Sequence, residues 1–317
     1  MSAEPDCDRG ENTMFRIRKK QHAIAGLVIV GVAVVGLAGC SAPAVKVPAN
    51  VRAAVEDLSN LPPDLSIAHS IQTSECLQAL GWDVGFDTTA LSTTRNTLIG
   101  VVGVFPSEDS ARNVGYGTTF KDTADGVFDQ FEITLDAADK DRFDVDLRGT
   151  GDKVEKYAVA SGQEFSKNSD GCLAQADVEV YGSVRDAMSI ELFVNDVTSQ
   201  ASGYRDGVNG ELGKLMPAYQ QCMKTAGYKV EGLRAAELAA SKFGKYRDIG
   251  QAPSTQEQDL AVTDYRCQTK AKIASTLEAL FIEKSSGWLT KNKDRILGLR
   301  ETLDKSLERS QKLIDEH

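Results

Sequence analysis

The stretch Glu75–Val84, E-C-L-Q-A-L-G-W-D-V, returns in step at Gln221–Val230 as Q-C-M-K-T-A-G-Y-K-V. Cysteine, apolar residue, glycine, aromatic and valine recur at the same offsets. Each copy reads as the last turns of a helix. The cysteine and the following Leu77 or Met223 face a partner, Gly81 or Gly227 takes the left-handed position that stops the helix, and the aromatic folds back over its end. Downstream of each copy stands one more cysteine on a helical pattern, in Gly171–Ala176 and in Asp264–Thr269. The expected fold is mainly α: disulfide-bridged helical repeats, one short strand or extended segment near 97–105, and an amphipathic helix at the C-terminus.

The chain holds 6 cysteines in 317 residues. Cys7 lies in an acidic stretch, 1–13, that suits no export signal, so Met14 reads as the initiator and Cys7 as outside the mature protein. From there the basic Arg16, Arg18, Lys19 and Lys20 precede an uncharged run, Ala23–Gly39, in the order of a secretory signal. The run ends Leu37-Ala38-Gly39-Cys40. Small residues there pass through a narrow peptidase site, and Cys40 supplies the thiol to be acylated. The expectation is a lipid on Cys40 and attachment to the extracytoplasmic face of the cell membrane, the anchor strengthened by about 0.8 kcal/mol for each buried methylene.

Four cysteines are then left for the exported body, Cys76, Cys172, Cys222 and Cys267, and an even count in an oxidising compartment reads as two disulfides. Three connectivities exist. The repeat selects Cys76 with Cys172 and Cys222 with Cys267, because each copy then closes on its own downstream cysteine. The enclosed loops, about 97 and 46 residues, correspond to roughly 4 to 5 kcal/mol each in the chain-entropy model. None of the four has metal-ligand spacing to another, and beyond Cys40 only His69 and His317 offer an imidazole, so a zinc site of Cys and His is not expected.

The organisation expected is a signal peptide over 1–39, a lipidated tether over 40–50, a first bridged unit over 51–210 and a second over 211–317. Asn50 and Asp64 look like caps of two early helices, and 122–130 like a polar loop. Two helices with Met188, Leu192, Phe193, Val197, Leu212 and Leu215 on their apolar faces are expected either side of the glycine-rich Ser202–Gly210, with Pro217 opening the next helix. Ser254 with Glu257 forms a capping-box pattern at the head of the Cys267 helix. Ser285-Ser286-Gly287 is expected to interrupt it. Beyond the break Ile296, Leu299, Leu303, Leu307 and Ile314 share one face of a helix, which packs on its own protein or docks an envelope partner.

Composition narrows the function. From Cys40 onward acids outnumber bases and no long basic block occurs, which argues against nucleic acid, whose phosphates must be neutralised by Lys and Arg. Asp136, Asp139, Asp141, Asp144 and Asp146 form the densest acid cluster. Calcium is excluded because an EF-hand started at Asp139 meets Asp144 where glycine is required and Thr150 where glutamate is required. With Leu135, Phe143 and Leu147 the stretch reads as a short helix capped by Asp136 with its acids in water. Gly210–Leu215 and Gly149–Gly151 are too short for phosphate loops, and nucleophile motifs are missing. His69 reads as a packed or surface histidine, and Trp82, Tyr116, Tyr181, Tyr228 and Trp288 as plugs of the core. No catalytic residue, cofactor or metal is expected.

The Cys-x-x-x-x-Gly-aromatic copies, Tyr116-Gly117, Gly171-Cys172 to Tyr181-Gly182, and Ala261–Cys267 together resemble a group of predicted secreted lipoproteins of actinobacteria. In that group a Cys-Met, Ala-Gly-aromatic stretch precedes a Pro-Thr-x-Glu helix start and an Ala-Asp-x-x-Cys helix, matched here by Cys222 to Tyr228 and Ser254 to Cys267. The likeness spans about 64 to 284 and is loose between Phe86 and Thr134. It implies export, helices and disulfides rather than a particular activity. Two roles follow from the sequence: a non-catalytic, lipid-tethered binding or accessory subunit, or a cell-wall hydrolase using carboxylates such as Asp139 and Asp144.

Overall fold

The computed structural model describes residues 46–86, 103–116, 118–119, 126–244, 246–247 and 252–317, all of which belong to one body. The stretch 1–39 expected to be a signal peptide, Cys40 and most of the 97–105 stretch lie outside the described residues. Of that stretch, residues 103–105 are neither helix nor strand.

Helices dominate. In chain order they are α1 (Ala49–Ser59), α2 (Pro63–Ala79), α3 (Glu108–Val114), α4 (Val127–Ile133), α5 (Ala137–Arg148), α6 (Gly171–Tyr181), α7 (Val184–Glu191), α8 (Phe193–Thr198), α9 (Tyr204–Thr225), α10 (Ala235–Phe243), α11 (Thr255–Lys270), α12 (Ile273–Lys291) and α13 (Lys293–Asp315). β1 (Thr118–Thr119) pairs in parallel with β4 (Tyr246–Arg247), and β2 (Val154–Ala158) pairs antiparallel with β3 (Glu164–Asn168) with Tyr157 opposite Phe165.

One large core runs through the body, from Val47, Val51, Val55 and Leu58 to Phe281, Leu289, Ile296 and Leu303. A smaller core surrounds the first cysteine pair: Leu77, Trp82, Val84, Phe143, Leu147 and Cys172. A third joins the β2–β3 hairpin to α6 and α7 through Tyr157, Val159, Ala174, Val184 and Met188.

Several boundaries differ from expectation. Folding starts before Asn50: Pro48 occupies the cap of α1, and Val47 is already buried. Pro62 caps α2, with Pro63 at its first position, so Asp64 lies inside the first turn and not ahead of it. Residues 127–130 are the start of α4, not loop. The boundary expected between residues 210 and 211 falls inside α9, which also carries Pro217 in its interior. Pro217 and Gly213, whose carbonyl loses its partner, are both exposed, so water can satisfy that carbonyl. α12 continues through Ser285-Ser286-Gly287, where the buried Ser285 hydroxyl donates back to Phe281 O at 2.7 Å, and the break comes at Asn292.

Candidate functional site

The two copies of the repeat end identically. At α2 the Trp82 N–H donates to Leu77 O at 3.0 Å and Gly81 N–H to Gln78 O at 3.0 Å. At α9 Tyr228 N–H donates to Met223 O at 2.9 Å and Gly227 N–H to Lys224 O at 3.1 Å. These are paired Schellman closures, with φ of +95° at Gly81 and +91° at Gly227. Leu77 and Met223, at the same place in each, are fully buried. Cys76 bonds Cys172 and Cys222 bonds Cys267, with Cα–Cα separations of 5.6 and 5.5 Å. The bridges staple α2 to α6 and α9 to α11.

Three aspartates with fully buried side chains or nearly so sit around this frame, and the sequence reading missed them all. Asp264 on α11 accepts from Tyr116 Oη at 2.5 Å, Tyr219 Oη at 2.7 Å and Gln268 Nε2 at 2.9 Å. Burial pushes its carboxyl above the ordinary range, the three hydrogen bonds acting the other way, and burial beside Asp264 pushes both phenols up. Asp177 on α6 meets His69 Nε2 at 3.1 Å and Lys167 Nζ at 2.8 Å. Asp196 on α8 accepts from the Ala160 N–H at 2.6 Å and Tyr157 Oη at 2.9 Å, and pairs with Arg295. The readable signal was position: Asp264 is three residues before Cys267 and so shares its inward face.

Asp196 therefore holds the β2–β3 turn against α8. Beside that junction lies a groove of about 870 Å³, its walls formed by the turn, by α8 and by the first turns of α9. Its floor is apolar, from the buried Val159, Ala201 and Val208. The volume is in the range of ligand-sized clefts.

The acids of α5 are arranged otherwise. Asp136 caps the helix by accepting from the Asp139 N–H at 3.0 Å, and Phe143 and Leu147 face inward. Asp139 is 48% exposed and paired with Arg142, while Asp144 is 52% exposed and paired with Arg148. Neither lines the groove, so the carboxylate pair of the hydrolase reading is not brought to a common cleft. Among the described residues no group of three His, Cys, Asp or Glu is placed to hold a metal ion, and no helix is long and apolar enough to cross a membrane.

Trp82 and Tyr181 are buried, and Tyr116, Tyr228 and Trp288 pack partly buried against the large core. His69 is part of the Asp177 network, not a free imidazole. In α13, Ile296 and Leu303 are buried, and Leu299 and Leu307 pack beside them on the chain's own core. Leu299 and Leu307 keep partial exposure.

The geometry defines an α-rich body whose helices are joined by two disulfides. Comparison with protein-family models, curated proteins and solved structures finds no match.

Proposed function

We propose that the chain is a lipid-anchored extracytoplasmic envelope protein, a non-catalytic binding or accessory subunit held to the membrane through Cys40. The observation that carries this reading is the use of the cysteines. Two intramolecular bridges consume Cys76, Cys172, Cys222 and Cys267, as suits an oxidising compartment, which leaves Cys40 as the one thiol of the mature chain. It stands at the end of an apolar run behind a basic cluster, in the order of a lipoprotein signal.

The tether is short. Val47, seven positions after Cys40, is already buried in the core. At about 3.5 Å per extended residue the body stands within roughly 25 Å of the membrane surface. A ligand or partner would therefore be met close to the bilayer, by a rigid body with a ligand-sized groove.

The test is labelling in a producing cell with a radioactive fatty acid, alongside fractionation of wild type and Cys40→Ser. The expected result is label on wild type alone and transfer of the variant to the soluble fraction. Unlabelled wild type, or a variant that stays with the membrane, would end the reading.

A further inference from the structure

Two histidines follow Cys40 in the sequence, and both make a carboxylate pair at α2. His69 belongs to the buried Asp177 network. His317, just past α13, is set differently, because an acceptor faces each nitrogen of its ring. Nε2 lies 2.7 Å from Glu75 Oε1 on α2, and Nδ1 lies 2.9 Å from the Leu313 carbonyl oxygen, one turn back on α13. A neutral imidazole carries a single N–H and can donate to only one of these. Both contacts are hydrogen bonds only when the ring is an imidazolium.

The surroundings favour that cation. α13 ends at Asp315, and the Leu313 carbonyl is left over there, since the His317 N–H goes to Ile314 O and the Glu316 N–H to Lys312 O, each at 3.2 Å. A positive charge at this end also meets the negative pole of the helix. Glu75 is positioned by Gln72, whose Nε2 donates to Oε2 at 2.6 Å and leaves Oε1 for the ring. Among the described residues the charged groups bearing on the ring are Glu75 from α2 and Glu316 from its own chain end, the latter 3.9 Å from Lys312. Phe86, packed edge-on against the imidazole at 6.4 Å, adds no charge. The Leu313 carbonyl first, and Glu75 next, hold the ring's titration above the ordinary 6.5. In the second copy of the repeat the residue matching Glu75 is Gln221, whose amide turns to Thr225 Oγ1. The carboxylate stands in the copy on which α13 packs.

We propose that His317 and Glu75 form a proton-operated clasp that ties the last turn of α13 to α2, closed by the imidazolium and opened when the ring loses its proton. Opening breaks the Leu313 bond, which frays the helix end, or the Glu75 bond, which frees that end from α2 beside the Cys76–Cys172 bridge. The clasp adds its full stability below the ordinary 6.5 and loses it as pH rises through the raised midpoint. It needs no ligand and does not depend on the anchor at Cys40.

The test is nitrogen-15 NMR of the histidine rings of the full chain from about pH 5 to about pH 9, with amide hydrogen exchange over the last turn of α13, in wild type and Glu75→Gln. His317→Asn identifies the resonance, and His69 serves as the internal control. Glu75 is 46% exposed, so its replacement leaves the fold standing. Expected are a His317 midpoint above 6.5, both ring nitrogens protonated below it, and a lower midpoint in Glu75→Gln with His69 unmoved. Last-turn exchange, corrected for its intrinsic pH dependence, should rise about two- to fivefold across the midpoint in wild type and less in the variant. A midpoint at or below 6.5, a midpoint that Glu75→Gln leaves unchanged, or exchange that rises equally or not at all in the two proteins would overturn the clasp.

Discussion

Tyr219 Oη donates to Asp264 Oδ1 at 2.7 Å across the helix pair that the Cys222–Cys267 bridge staples together. Both side chains are buried, and among the described residues no cation is a partner of this carboxylate; two phenols and an amide do the work. Asp264→Ala should therefore leave two buried phenols and the Gln268 amide short of an acceptor and cost about 3 kcal/mol or more, while Tyr219→Phe should cost about 2 kcal/mol. Urea unfolding with the disulfides intact measures both. A cost below that of a surface substitution for Asp264→Ala would mean that water replaces the carboxylate.

The same carboxylate gives a pH signature with a definite sign. Burial holds it above its ordinary value of 3.8, so its favourable contribution is complete below that pH and is lost as pH rises through the raised value. Asp264→Asn stays neutral at every pH and removes this dependence. The stability of wild type minus that of Asp264→Asn should fall as pH rises through the raised value, other titrating groups cancelling in the difference. A difference that grows with pH would mean the hydrogen bonds outweigh burial.

The repeated helix ends can be probed at Gly81 and Gly227. A methyl group at either position would meet no atom within 4 Å, so substitution tests backbone conformation alone. Each glycine to alanine change should cost about 1 kcal/mol, from forcing a β-carbon into the left-handed region. Equal costs are expected because the two closures share their hydrogen-bond pattern. A clear difference in thermal midpoint between the two variants would separate them as structural equivalents.

What the sequence disclosed was local and chemically punctuated. Gly81 and Gly227, the Asp136 and Ser254 caps, and the inward Phe143 and Leu147 could all be read because capping and periodicity act within one turn. The β2–β3 hairpin was not legible. In Val154–Ala158 only Tyr157 is buried, so the alternation that marks a strand has a single apolar peak. Glu257 also departed from its local role: its carboxylate accepts from the Tyr116 N–H at 2.8 Å, a partner 141 residues away that no spacing rule reaches. The groove escaped for a similar reason. Ser202–Gly210 looks like a glycine-rich linker, yet Tyr204 onward is α9, and Arg205 becomes a groove residue only once the distant hairpin is placed beside it.

The last helix carries the sharpest test of where a partner could bind. α13 packs on α1, α2, α6 and α7, its buried face running Ile296, Leu303, Ser306 and Ser310, with the serines allowing close approach. Arg309 on the same helix donates to Val180 O at 3.1 Å, closing the end of α6. Leu303→Ala should thus cost about 2 to 4 kcal/mol, as for other fully buried leucines. Ending the chain after Asn292 should abolish cooperative unfolding altogether, since α1, α2 and α6 would each lose the surface they bury. Circular dichroism and near-ultraviolet melting decide it. If the truncated chain kept a sharp transition, α13 would be a detachable arm, and the partner contact expected through Ile296, Leu299, Leu303 and Leu307 would regain a free apolar face.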